Sequence, residues 1–98
     1  MALRFTWDPN KATQNLRKHQ VNFDDATTVF GDPFAGIEDD PDHSIDEQRY
    51  LIIGYSSRNR LLIVIFTEPI SDAIRIISAR LATNTERKKY EKYTRYNA

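Results

Sequence analysis

Arg49-Tyr50-Leu51-Ile52-Ile53-Gly54-Tyr55, Leu61-Leu62-Ile63-Val64-Ile65-Phe66-Thr67 and Ala73-Ile74-Arg75-Ile76-Ile77-Ser78-Ala79-Arg80 follow one another with short polar breaks. β-Branched and aromatic residues dominate all three, which is the composition of strands. The middle run is apolar almost throughout, as a strand covered on both faces would be. Ser56-Ser57-Arg58-Asn59 is short and polar, so the first two runs predict an antiparallel hairpin. Glu68-Pro69-Ile70-Ser71-Asp72 is long enough to turn the second run back into the third.

Working outward, Leu3, Phe5 and Trp7 alternate with Arg4 and Thr6, the period of a half-buried strand. Asp8-Pro9 then starts a helix, with Asp8 as cap and Pro9 in the first helical position. Ala12, Leu16 and His19 share its expected inner face, and Lys11, Gln14, Arg17 and Lys18 its polar one. A shorter helix is expected from Asp24 to Phe30, capped by Asp24 and ended by Gly31-Asp32-Pro33. Residues 34–38 read as an edge strand. At the far end, Thr83-Asn84-Thr85-Glu86 fits a capping box that opens a helix to about Asn97. Tyr90 and Tyr93 are its main apolar handles among Lys88, Lys89, Lys92 and Arg95. The expected order is β-α-α-β-β-β-β-α: an α+β domain with two N-terminal helices, a mainly antiparallel sheet and one C-terminal helix.

A chain of 98 residues, 40% hydrophobic and 29% charged, is a single globular domain spanning 1–98, with surface grooves expected in place of deep cavities. The absence of cysteine excludes disulfides, thiolate zinc sites and a cysteine nucleophile. No apolar run is long enough for a signal peptide or a membrane span, so a cytoplasmic protein is expected. The zero net charge conceals a division. Residues 1–50 carry five basic and ten acidic side chains, and residues 51–98 carry nine and four. The acids gather from Glu38 to Glu47, the bases from Arg75 to Arg95. Such asymmetry points to a polyanion or a protein partner met by one face.

Phe5-Thr6-Trp7-Asp8, Lys11, Asn15, Lys18-His19, Val21 and Phe23 open a pattern that resembles the BrnT-type toxins. It continues through Ala26, Val29-Phe30, Asp32-Pro33, Asp42-His43-Ser44, Glu47 and Arg49. Arg75-Ile76-Ile77-Ser78-Ala79-Arg80, then Ala82, Glu86-Arg87 and Tyr90, is its most specific part. The resemblance implies a RelE-like fold and endoribonuclease activity that arrests growth. It also implies neutralisation by a BrnA-like antitoxin, whose ribbon-helix-helix domain binds operator DNA. One departure is Gln20, where the family more often has Gly. If the backbone there is left-handed, Gln costs roughly 1–2 kcal/mol.

Metal-independent RNA cleavage needs a 2′-hydroxyl aligned on the adjacent phosphorus, proton transfer at both oxygens, and charge stabilisation on the phosphate. Arginine suits the last task because its planar fork donates two parallel hydrogen bonds. Arg49, Arg60, Arg75 and Arg80 lie at or near strand ends, and Arg80, where the last strand meets the basic helix, is favoured. Arg80, Arg49 and His43 are the expected catalytic residues, and Lys18, Arg60, Arg75 and Lys88 the expected RNA contacts. Arg75 and Arg80, an odd number of residues apart, point to opposite faces of a regular strand unless a bulge re-aims one. His43 lies among carboxylates that favour its protonated form, whereas His19 reads as packed. Glu86 is explained by its cap and Tyr90 by packing. Asp39-Asp40-Pro41-Asp42-His43 lacks an established metal-loop spacing, so neither metal nor cofactor is expected. No phosphate-binding glycine loop, nucleophile elbow or His-Glu-x-x-His pair occurs. Two other classes stay open: a noncatalytic nucleic-acid-binding module using the basic segment, and an interaction protein docking through its acidic loop and tyrosine-bearing helix.

Overall fold

The computed structural model describes residues 2–40 and 47–97. Its elements are β1 (Arg4–Thr6), α1 (Pro9–His19), α2 (Phe23–Thr27), a 3₁₀ turn (Thr28–Gly31), β2 (Gly36–Asp39), β3 (Tyr50–Tyr55), β4 (Leu61–Ile70), β5 (Ala73–Leu81) and α3 (Asn84–Asn97). The strands form one sheet in the order β1-β5-β4-β3-β2, antiparallel except where β1 runs parallel to β5. This is a small α+β domain with a five-stranded, mostly antiparallel sheet and three α-helices.

Local chemistry sets the helix ends. The Asp8 carboxylate accepts from the Asn10 amide at 2.8 Å and Pro9 follows it, so α1 starts where its free donors are satisfied. It stops at Gln20, whose φ of 56° is left-handed and whose amide donates to the Leu16 carbonyl. The second helix differs from expectation. Asn22, and not Asp24, is its cap, and α2 tightens into the 3₁₀ turn after Thr27. The Thr27 and Thr28 hydroxyls donate to the Asp24 and Asp25 carbonyls, competing with regular helix bonds at that point.

Strand β4 runs three residues further than expected, through Pro69 to Ile70. Pairing with β3 ends at Phe66, so the missing Pro69 amide breaks no ladder on that side. The connection to β5 shrinks to Ser71-Asp72, with Asp72 left-handed and its amide donating to the Glu68 carboxylate.

One face of the sheet carries Ile52, Leu62, Val64, Phe66, Ile74, Ile76 and Ala79 into the core, where they meet Val21, Phe23, Ala26 and Val29 from the helical side. Phe30 packs edge-on to Phe66, and Tyr50 stacks on it. The expected inner face of α1 is corrected here. Leu16 is 50% exposed, and the buried residue of α1 is Asn15. The opposite sheet face carries Leu51, Ile53 and Ile63, and α3 lies over these residues. Ile65 pairs with Ser78 and Phe66 with Ile76, which makes Ile77 an extra residue in β5. That bulge reverses the alternation, so Arg75, opposite Thr67, and Arg80, opposite Ile63, lie on the same face of the sheet.

Candidate functional site

The end of β5 and the start of α3 meet at Arg80. Its guanidinium reaches both Glu86 carboxylate oxygens, at 2.8 and 2.9 Å, and also donates to the Leu81 carbonyl. Glu86 accepts from the Thr83 amide at 2.8 Å while the Thr83 hydroxyl accepts from the Glu86 amide, which completes the capping box. The hydrogen bond from Arg80 is the main reason the Glu86 carboxyl is lowered to about 2, against a smaller opposing effect of burial. The same pair raises Arg80. Glu86 is therefore a fixed anion at neutral pH and too weak a base for proton abstraction. Arg80 has five N–H donors, and these bonds use three of them. The other edge of its fork remains for a second anion.

Two hydrogen bonds hold α3 by its next turn. The Tyr90 hydroxyl donates to Asp32 at 2.6 Å, and the same Asp32 oxygen accepts from the Tyr55 amide. The other Asp32 oxygen accepts from the Phe34 amide. Burial pushes the Asp32 carboxyl up, but the bonds from Tyr90, Tyr55 and Phe34 prevail and hold it below its usual value. Burial and the Asp32 charge push the Tyr90 hydroxyl the other way, upward. The Tyr55 ring meets Tyr90 edge-on, and its hydroxyl accepts from Arg87 at 3.0 Å. Gly54 makes this possible. A Cβ there would lie 3.1 Å from Asp32, Ala35 and Val29 atoms.

Asn15 fixes β5 from the core side. Its amide nitrogen donates to the Ala79 and Val21 carbonyls, and its oxygen accepts from the Ala79 amide. β1 pairs with β5 only as far as Arg75, so the backbone groups of Ala79 need this partner. Asn15 thus sets the strand one residue before Arg80.

The remaining expected site residues are dispersed. Arg60 donates to Asp25 at 2.9 Å and to the Gln20 carbonyl at 3.0 Å, tying the start of β4 to the end of α1. Arg49 is half-buried, 4.0 Å from Glu47, and its Nε has no hydrogen-bond partner. Arg75 is exposed on the sheet face it shares with Arg80, and Lys88 is exposed on α3. Lys18 and His19 line a shallow depression over α1 and β5 with Lys11 and Ser78. His43 lies outside the described residues, as do Asp42 and Asp46. Among the described residues no group of three His, Asp or Glu is placed to hold a metal ion, and no helix is long and apolar enough to cross a membrane.

Between α3 and the second sheet face runs a groove of about 410 Å³, floored by Leu51, Ile53 and Ile63 and walled by Tyr90, Tyr93 and Lys89. Tyr90 is buried beside it and Tyr93 is half-exposed. Asn15, Asp32 and Tyr55 are not among the site residues expected from the sequence. Asn15 carried a signal nonetheless: a polar residue in the inward phase of an amphipathic helix.

A family model described as the ribonuclease toxin BrnT of type II toxin–antitoxin systems matches residues 7–86. Among solved structures, the crystal structure of the Brucella abortus ribonuclease toxin BrnT is similar, with a TM-score of 0.61 and 26% sequence identity. The match covers 85% of this chain and all of that one. No curated protein sequence matches.

Proposed function

The chain belongs to the BrnT family of ribonuclease toxins of type II toxin–antitoxin systems, and from that premise we propose that it is a metal-independent endoribonuclease with a RelE-like fold. The observation that carries the reading is Arg80. Its guanidinium is held by Glu86 at the junction of the last strand and the basic helix, with one edge of its fork still open.

In this reading the open edge of Arg80 binds a non-bridging oxygen of the scissile phosphate and stabilises the charge that builds there. The 2′-oxygen forms a bond to phosphorus, and its proton passes to water. The bond from phosphorus to the 5′-oxygen breaks, leaving a 2′,3′-cyclic phosphate. His43, protonated among its acidic sequence neighbours, gives its proton to the departing oxygen. Arg49 assists on the phosphate, and Lys18, Arg60, Arg75 and Lys88 contact the RNA strand. Of these, Arg60 makes the weakest case, because Asp25 and Gln20 already occupy it. The activity belongs in the cytoplasm, where a BrnA-like ribbon-helix-helix antitoxin covers the toxin and links it to operator DNA.

Purified protein incubated with RNA tests the reading. Cleavage that persists in excess chelator and yields cyclic phosphate ends is the expected result. Salt-sensitive RNA binding without cleavage would leave only a binding module.

A further inference from the structure

The arginines with described side chains fall into two groups. Arg4, Arg17, Arg58 and Arg75 are exposed, and the other four are half-buried. Three of those four face carboxylates: Arg49 faces Glu47, Arg60 faces Asp25 and Arg80 faces Glu86. Arg87 is the exception. Among the described residues its one hydrogen-bond partner is the neutral phenol oxygen of Tyr55, and no described carboxylate pairs with it. Glu91, one turn further along α3, leaves it unpaired as well.

A half-buried guanidinium has lost part of its hydration and normally recovers that cost from a counter-ion. Here no described residue supplies the counter-ion, yet the side chain is held in place. Tyr55 is itself fixed, by its amide bond to Asp32 and its ring contact with Tyr90. Such an arrangement pre-orients an arginine for an anion it does not carry. Glu86 and Arg87 are consecutive, so the guanidiniums held by Glu86 and by Tyr55 flank the same first turn of α3. Exposed Lys88 and Lys92 extend the positive surface along the helix.

We propose that Arg87, held by the Tyr55 hydroxyl, is a phosphate-binding residue of the RNA site, contacting the phosphodiester next to the one bound by Arg80. The proposal rests on the ribonuclease reading and adds a second fixed phosphate contact to it. Bidentate donation to a phosphate needs the planar fork, so lysine is a poor substitute.

Two measurements test it on wild type, Arg87→Gln, Arg87→Lys and Tyr55→Phe, with Arg17→Gln as a charge control at an exposed arginine outside the proposed contacts. One is kcat/KM for RNA cleavage. The other is the affinity for a single-stranded 2′-deoxy oligonucleotide, which cannot be cleaved by 2′-hydroxyl attack. Arg87→Gln is expected to lower both by at least tenfold, and Arg87→Lys to recover less than half of the loss on a logarithmic scale. Tyr55→Phe keeps the charge but loses its support, and should lower kcat/KM about threefold in protein that still folds cooperatively. Folded Arg87→Gln protein with wild-type values in both measurements would overturn the proposal. So would a loss of affinity confined to the antitoxin, which would assign Arg87 to a protein carboxylate. If the wild type binds the oligonucleotide but cleaves no RNA, the ribonuclease reading fails and the affinity series still decides the role of Arg87.

Discussion

Single residues show how far this chain departs from its simplest pattern, and what each departure costs. Gln20 occupies a left-handed position that glycine would adopt freely. Gln20→Gly should therefore stabilise the protein by about 1 kcal/mol, less what glycine adds to unfolded-chain entropy, read from urea denaturation. Arg60 bonds the Gln20 carbonyl, which glycine retains, so that tie survives the change. Asn15 works in the opposite direction. Asn15→Leu keeps the branched shape but leaves the Ala79 amide and the Ala79 and Val21 carbonyls without their partner, at a cost of roughly 2–3 kcal/mol. A loss below 0.5 kcal/mol would mean that water replaces the side chain there. Glu86 predicts a pH effect of definite sign. Its folded carboxyl titrates at about 2 against an ordinary 4.5, so its contribution to stability is complete above 4.5 and is lost as pH falls towards 2. Wild-type melting temperature should drop across that window more steeply than that of Glu86→Gln. Asp32, also lowered, adds to the same acid limb, and equal slopes in the two proteins would remove Glu86 as a contributor.

At the scale of elements, the three central strands and the C-terminal helix were legible because their signals are local. Alternation, β-branched runs, a polar turn and a capping box each lie within a few residues. What escaped depended on contacts distant in sequence. The odd spacing of Arg75 and Arg80 argued for opposite faces, and the extra residue at Ile77 reverses it. Nothing in Ile76-Ile77 distinguishes that bulge from regular strand. Part of the candidate site was legible in the same way. The place of Arg80 between a strand and a basic helix is local, whereas Asp32 was read as part of a helix stop and of the family pattern, with no contact assigned to it. Its role comes from meeting Tyr55 and Tyr90, which lie 23 and 58 positions away. The anchoring of α3 yields a prediction at this scale. Tyr90 and the Arg80–Glu86 pair hold its first two turns, while Tyr93 stays half-exposed over an open groove. Amides after Tyr93 should exchange rapidly with deuterium and those of residues 87–90 should be protected. Gly54→Ala crowds Asp32 and should lower protection across residues 87–90, while the core strands β4 and β5 keep theirs. Uniform protection along α3 would mean that the groove does not loosen the helix end.

On the scale of the whole molecule, the charge division of the sequence follows the elements. The basic half supplies β5 and α3 and the acidic half supplies β2, with Lys89 of α3 joined to Glu38 of β2 at 3.2 Å. A neutral protein built this way can bind a polyanion by one surface, and its affinity should fall steeply with salt. Family membership turns that into a cellular expectation. Expressed alone, the chain should slow bacterial growth, and co-expression of its cognate antitoxin should restore it. Arg80→Ala links growth arrest to the site. It should lower RNA cleavage at least tenfold, about 1.4 kcal/mol of transition-state stabilisation, and relieve the growth defect. Because Arg80 also neutralises Glu86 and steadies α3, alanine alone confounds chemistry with anchoring. Arg80→Lys separates them, since an ammonium can still pair with Glu86 but has no second edge for phosphate. Lysine should keep the wild-type exchange pattern of α3 while cleavage stays at least tenfold down. If Arg80→Lys cleaves and arrests growth like the wild type, the residue acts only through its ion pair, and the phosphate contact must be sought elsewhere on this face.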